Sequence, residues 1–237
     1  MSLKNNIKVV VVEDQVAGGK EAFDIIKKEL AAGLKVIGLP TGSTPEQMYK
    51  ELRASNLDFS DVVAINLDEY IGLDPTHEQS YHHFMNEKLY SVKEFKETHM
   101  PNGLASEEET SRYDEVIENN PIDLQFLGIG TNAHLGFNEP GSPLDGLTAK
   151  VDLAEETIEA NKRFFESADD VPRQAYSMGL GSIMSADKIV LIAYGENKAE
   201  AIANAINGPV IEDVPASILQ KHKDVTFILD EAAASKL

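Results

Sequence analysis

Residues 7–45 read IKVVVVEDQVAGGKEAFDIIKKELAAGLKVIGLPTGSTP. Positions 7–12 form a run dominated by β-branched apolar residues. In the segment 16–32, Phe23, Ile26 and Leu30 recur at helical spacing, and Gly33 supplies a helix stop. Residues 34–39 then read as a second buried strand. Strands that are apolar throughout, separated by a helix, predict a parallel sheet covered on both faces.

The same alternation continues along the chain. Strands are expected at 62–67, 123–129, 188–194 and 225–229, and helices near 45–54, 80–90, 155–165, 173–184 and 197–207. Thr44 reads as an N-cap, with Pro45 at the first helical position and Gln47 completing a capping box. No break in composition marks a domain boundary. The expectation is therefore a single α/β domain over residues 1–237, a doubly wound, mainly parallel sheet with helices on both faces.

The 237 residues carry 21 Lys and Arg against 40 Asp and Glu, a net charge of −19. A field of that sign opposes polyanions, so no nucleic acid partner is expected, and an anionic ligand must be caught by a local positive site. The absence of cysteine removes disulfides and thiolate sites together and points to the cytoplasm. The longest apolar run, 189–194, is far below the roughly 20 residues that span a bilayer. The N-terminal residues show no signal-peptide pattern, so no membrane partner is expected.

In doubly wound sheets, ligands bind outside the carboxyl ends of the strands. Four segments occupy such positions. The loop Pro40-Thr41-Gly42-Ser43-Thr44-Pro45 joins a strand to a helix, so Thr41, Gly42 and Ser43 bring N–H groups and hydroxyls to a point where an oxyanion can bind. It lacks the Gly-Lys-Ser/Thr of a nucleoside triphosphate loop, and a small phosphate ester suits it better; plain helix capping is the competing explanation. Asn66-Leu67-Asp68-Glu69-Tyr70 puts two acids at a strand end, where Asp68 becomes a general base if partly desolvated, or a solvated turn carboxylate if not.

Residues 128–133, GIGTNA, formally match a dinucleotide fingerprint. The following HLGFNEPGSP is too rich in Gly and Pro for the helix that fingerprint needs. The run reads instead as an irregular loop presenting Asn132, His134 and Glu139, or as a Gly-rich turn whose His134 merely bonds backbone. Arg163 and Lys198 are isolated bases able to hold a phosphate, or ordinary surface residues. His77, His82 and His83 lack metal-ligand spacing, and neither metal nor cofactor is expected.

Taken together, 40–45, 66–70, the Gly-Phe-Asn-Glu-Pro element within 128–140, Arg163-Phe164-Phe165 and the Lys198 segment resemble the glucosamine-6-phosphate deaminase family, collinearly from Ile7 to Leu229. The related 6-phosphogluconolactonases share the Gly-rich strand end but typically follow their His with a different sequence. The resemblance implies conversion of the sugar phosphate glucosamine 6-phosphate and water to fructose 6-phosphate and ammonium, an isomerisation with deamination in amino-sugar catabolism, without metal or redox cofactor. It implies His134 as the proton shuttle of ring opening with Glu139 as its partner. Asp68 would carry a proton from C2 to C1, and Gly42, Ser43, Arg163 and Lys198 would hold the phosphate.

Two departures stand out. Many members of that family have Asp-Gly before the His, where this chain has Asn132-Ala133. Asn orients an imidazole without supplying charge, so support for His134 is expected to lean on Glu139. The segment after the Asn-Glu-Pro element is nearly bare of Arg and the sequence stops soon after the last strand. That resembles the short, non-allosteric branch, expected as a monomer. A lactonase, or a sensor that has lost its acid/base set, are the alternative readings.

Overall fold

The computed structural model describes residues 2–4, 6–162 and 165–237. Its main sheet contains β1 (Ser2–Lys4), β2 (Ile7–Val12), β3 (Val36–Leu39), β4 (Phe59–Asn66), β6 (Phe95–His99), β7 (Leu124–Leu127), β10 (Lys188–Ala193) and β11 (Val225–Asp230). Their spatial order is β1-β2-β11-β10-β7-β3-β4-β6, parallel except for β1 at one edge. The apolar strands behave as their composition requires. One face packs Ile37 and Leu39 against Ala22 and Ile26 of α1 (Gln15–Ala31) and Met48, Tyr49 and Leu52 of α2 (Glu46–Ala54). The other packs Val9, Leu191 and Phe227 against Tyr113 of α4 (Glu109–Asn119), Ile183 of α6 (Leu180–Met184) and Ile202 of α7 (Ala199–Asn207). Burial of each such side chain contributes about 1.5–3 kcal/mol.

From β3 the chain runs outward to β4 and β6, returns to β7 beside β3, and then runs the other way through β10 and β11. Strand order therefore reverses between β3 and β7, where a doubly wound sheet opens its ligand crevice. The two strands share only the pairs Ile37↔Leu124 and Gly38↔Gln125. The buried Gln125 carboxamide lies so close over Gly38 that any Cβ there would overlap it.

A second, antiparallel sheet of β5 (Asp68–Tyr70), β9 (Gln174–Ser177) and β8 (Ala149–Asp152) flanks that crevice. It corrects the helix expected over 173–184, because residues 174–177 are a strand and only Leu180–Met184 is helical. Strand β9 finds partners on both sides. Gly179 and Gly181 press onto the carbonyls of residues 145–147, where side chains would not fit.

Two other expectations change. Helix α2 starts at Glu46, its N-cap is Pro45, and Thr44 makes no capping bond. A turn pre-empts the box: Gly42 takes φ +88°, the Ser43 carbonyl accepts the Glu46 N–H at 3.2 Å, and Gln47 bonds Glu51 instead. The helix expected over 80–90 is α3 (Tyr81–Met85), capped by Ser80 and running on as a wider π turn over Asn86–Tyr90.

Candidate active site

At the β3/β7 reversal lies a cavity of about 260 Å³, lined by the 40–44 loop, Asp68, Tyr81, the 128–130 turn, His134, Gly136 and Phe137. Three of the four predicted segments thus meet in one place. Larger concavities exist elsewhere. A groove of about 920 Å³ runs between residues 71–79 and 165–173, but none of the loops that follow the parallel strands of the main sheet lines it.

The 40–44 loop is fixed from beneath. The Tyr49 hydroxyl donates to the Pro40 carbonyl, and Asn66 Nδ2 donates to the Leu39 carbonyl at 2.9 Å. Thr44 makes no cap on α2, which sets the capping explanation aside, and residues 40–44 all line the cavity.

Asp68 enters from β5. It is only 6% exposed, and burial, with the like charge of Glu69 second, pushes its carboxyl up to about 8. Among the described residues no hydrogen-bond donor opposes that. Glu69, on the opposite face of the strand, accepts the N–H groups of Tyr70, Tyr81 and His82 and bonds the His82 ring. The adjacent acids therefore live in different surroundings.

His134 sits in an irregular loop, as its Gly and Pro content predicts. The ring lies flat on Gly130, where a Cβ would collide with it. Its Nδ1 faces Asn132 Oδ1 at 2.7 Å and Glu139 Oε1 at 3.5 Å, both acceptors, so the ring proton belongs on Nδ1 and Nε2 is left for a ligand. Asn132 Nδ2 in turn donates to Glu139 Oε2 at 2.6 Å. The expected His134–Glu139 pair is present, with Asn132 inserted as the nearer partner and handing the orientation on. The hydrogen bond from His134, then its charge and the Asn132 amide, hold Glu139 below the usual carboxylate range against partial burial.

Ala133, which stands where many relatives have Gly, takes φ +66°, the left-handed conformation that glycine adopts freely. Its N–H donates to the Gly130 carbonyl and its carbonyl accepts from Ala216, which holds the strain in place. Lys198, half-buried, donates from Nζ to the Ile129 carbonyl at 2.7 Å at the end of β7, and burial lowers its affinity for its proton. Arg163 lies outside the described residues.

The sequence did not single out Tyr81 or Asn138. The Tyr81 phenol packs against Tyr70 and Thr41, its ring stacks on Phe137, and desolvation keeps its hydroxyl protonated. Asn138 Nδ2 donates to the carbonyls of Leu135 and Met178, each at 2.8 Å, and Phe137 N–H donates to Ser177 Oγ. These bonds make the long loop a fixed scaffold. Among the described residues no group of three or more His, Cys, Asp or Glu is placed to hold a metal. None of their helices is long and apolar enough to cross a membrane.

A sequence profile for glucosamine-6-phosphate isomerases/6-phosphogluconolactonase matches residues 19–228. A glucosamine-6-phosphate deaminase of Streptococcus agalactiae is 58% identical, with 98% of this chain and 100% of the relative covered. One of Lacticaseibacillus paracasei is also 58% identical, with 97% and 98% covered. A solved structure described as a monomeric glucosamine-6-phosphate deaminase superposes with a TM-score of 0.92 at 37% identity, covering 98% of this chain and 100% of its own.

Proposed function

The chain belongs to the glucosamine-6-phosphate isomerase/6-phosphogluconolactonase family, and from that membership we propose that it is the deaminase, converting glucosamine 6-phosphate and water to fructose 6-phosphate and ammonium. The observation that carries this reading is a buried Asp68 carboxyl with no donor among the described residues, sharing one small cavity with an imidazole whose Nδ1 is already engaged. Such a pair suits proton transfers at two neighbouring carbons and a ring oxygen.

The phosphate seats on the N–H groups of Gly42, Ser43 and the end of their loop, with Lys198 moving from the Ile129 carbonyl to the phosphate and Arg163 as the expected second base. Holding the remote end orients C1 and C2 toward Asp68. His134 Nε2 passes the proton between the anomeric hydroxyl and the ring oxygen, opening the ring, while Asn132 and Glu139 stabilise the imidazolium that forms. The substrate's own C2 ammonium then lies against Asp68, and this opposite charge favours the carboxylate that burial disfavours. Asp68 removes the C2 proton and returns it at C1. Addition of water at C2 and loss of ammonia complete the reaction.

The −19 surface gives no help to an anionic substrate at long range, so capture rests on these short-range groups. By analogy with the monomeric deaminase of known structure the chain works as a monomer, which light scattering after gel filtration tests, and its lack of cysteine suits the cytoplasm. Ammonium release from glucosamine 6-phosphate, measured beside hydrolysis of 6-phosphogluconolactone, tests the activity. Ammonium release that Asp68→Asn abolishes supports the deaminase, and lactone hydrolysis alone overturns it.

A further inference from the structure

Glu69 takes no part in the steps above, yet its side chain is 1% exposed and its carboxylate is enclosed by donors. The N–H groups of Tyr70, Tyr81 and His82 reach it at 2.8, 3.0 and 2.9 Å, and His82 Nδ1 at 2.7 Å. Side chains alternate along β5, so Asp68 faces the cavity while Glu69 faces α3. The N–H groups of Tyr81 and His82 are the first donors of α3, so Glu69 fixes where that helix begins and, with it, the Tyr81 ring on the cavity wall. The same carboxylate places a negative charge one residue from Asp68. The rest of the His82 ring lines a separate cavity of about 580 Å³, shared with His83, His99 and Arg112.

We propose that Glu69, backed by His82, is a positioning residue for the reaction: it fixes the start of α3 and with it the Tyr81 wall, and it holds a negative charge beside Asp68 that the His82 ring keeps in place. The inference rests on reading Asp68 as the proton-transferring group. The charge of Glu69 favours the protonated form of Asp68, second only to burial. The other titratable groups facing Asp68 are Tyr81 on α3, Tyr113 on α4 and His134 in the long loop. Around the outer cavity, His83 pairs with Glu87, His99 with Glu97 and Arg112 with Glu109, and Tyr90 also lines the wall. Of these bases, His82 is the one that bonds the carboxylate adjoining Asp68.

The test uses the full chain with Glu69→Gln, His82→Ala and His82→Asn; the Asn amide reproduces the Nδ1 donor. A carboxyl-carbon NMR titration of Asp68, assigned with Asp68→Asn, needs no substrate. In Glu69→Gln its midpoint is expected to fall by about one pH unit and kcat by about tenfold. His82→Ala is expected to lower kcat severalfold with little change in KM. His82→Asn is expected to restore the rate. An unmoved Asp68 midpoint in folded Glu69→Gln overturns the inference, as do equal losses in the two His82 variants, which decide the matter alone if Glu69→Gln does not fold. A wild-type protein that releases no ammonium refutes the deaminase reading instead, and the Asp68 titration still decides this inference.

Discussion

The end of β5 and the 130–140 loop each bring a carboxylate to the same crevice, and they treat it in opposite ways. Asp68 stands on a short strand, buried, with a second acid beside it and no described donor, and it rises to about 8. Glu139 hangs on an irregular loop, partly exposed, bonded by Asn132 and facing His134, and it falls below its ordinary value. One carboxyl can therefore exchange a proton near neutrality, while the other stays charged and orients a neighbour. The difference lies in the supply of donors rather than in the residue type.

Replacing the first carboxyl should have the largest effect. Asp68→Asn is expected to lower kcat by about a thousandfold or more, measured by ammonium release. The same substitution should stabilise the fold in a pH-dependent way. Because the folded carboxyl titrates near 8 instead of the model-compound 3.8, ionising it penalises the native state increasingly across that interval and fully above it. The melting-temperature advantage of Asp68→Asn should therefore be small near about pH 4 and grow to a plateau of the order of a few kcal/mol above about pH 8. An advantage that shrank as pH rose would erase the contrast with Glu139.

Glu139→Gln should cost less, about a hundredfold in kcat, since it leaves the imidazole in place and removes only the charge behind it. Asn132→Asp supplies a carboxylate 2.7 Å from Nδ1, and the limb of the pH–rate profile that reports the imidazole should move upward by up to about one unit. An unchanged profile would show that Glu139 already supplies all the charge the ring uses. The smallest effect is expected at Ala133→Gly, which relieves a left-handed alanine and should add about 1 kcal/mol, a rise in melting temperature of about 2–4 °C, with activity preserved.

Both regions were only half legible in the sequence. Strands buried on both faces announce themselves, as 7–12 and 188–194 do, and residues directly after such strands, including Ser43, Asp68 and His134, could be found by position alone. Strands β5, β8 and β9 could not, because β8 is largely exposed and all three are short; their pairing is a tertiary matter. Edge strand β6, with the sequence FKETH, carries charge where a strand signal would be apolar. Tyr81 and Asn138 were hidden for a related reason. Their partners, Thr41, Phe137 and Met178, lie far away in the chain, and no local pattern joins them.

Gly38 and Gln125 meet in the seam beneath this crevice, and their contact has a genealogical consequence. A lineage cannot enlarge residue 38 while Gln125 keeps its carboxamide there, and shrinking Gln125 first leaves a void between central strands and removes its bond to the Phe126 carbonyl. Each single step costs packing or a hydrogen bond although a suitable pair of changes need not. The two positions should therefore drift as a linked pair, with the history of one constraining which replacements the other can accept.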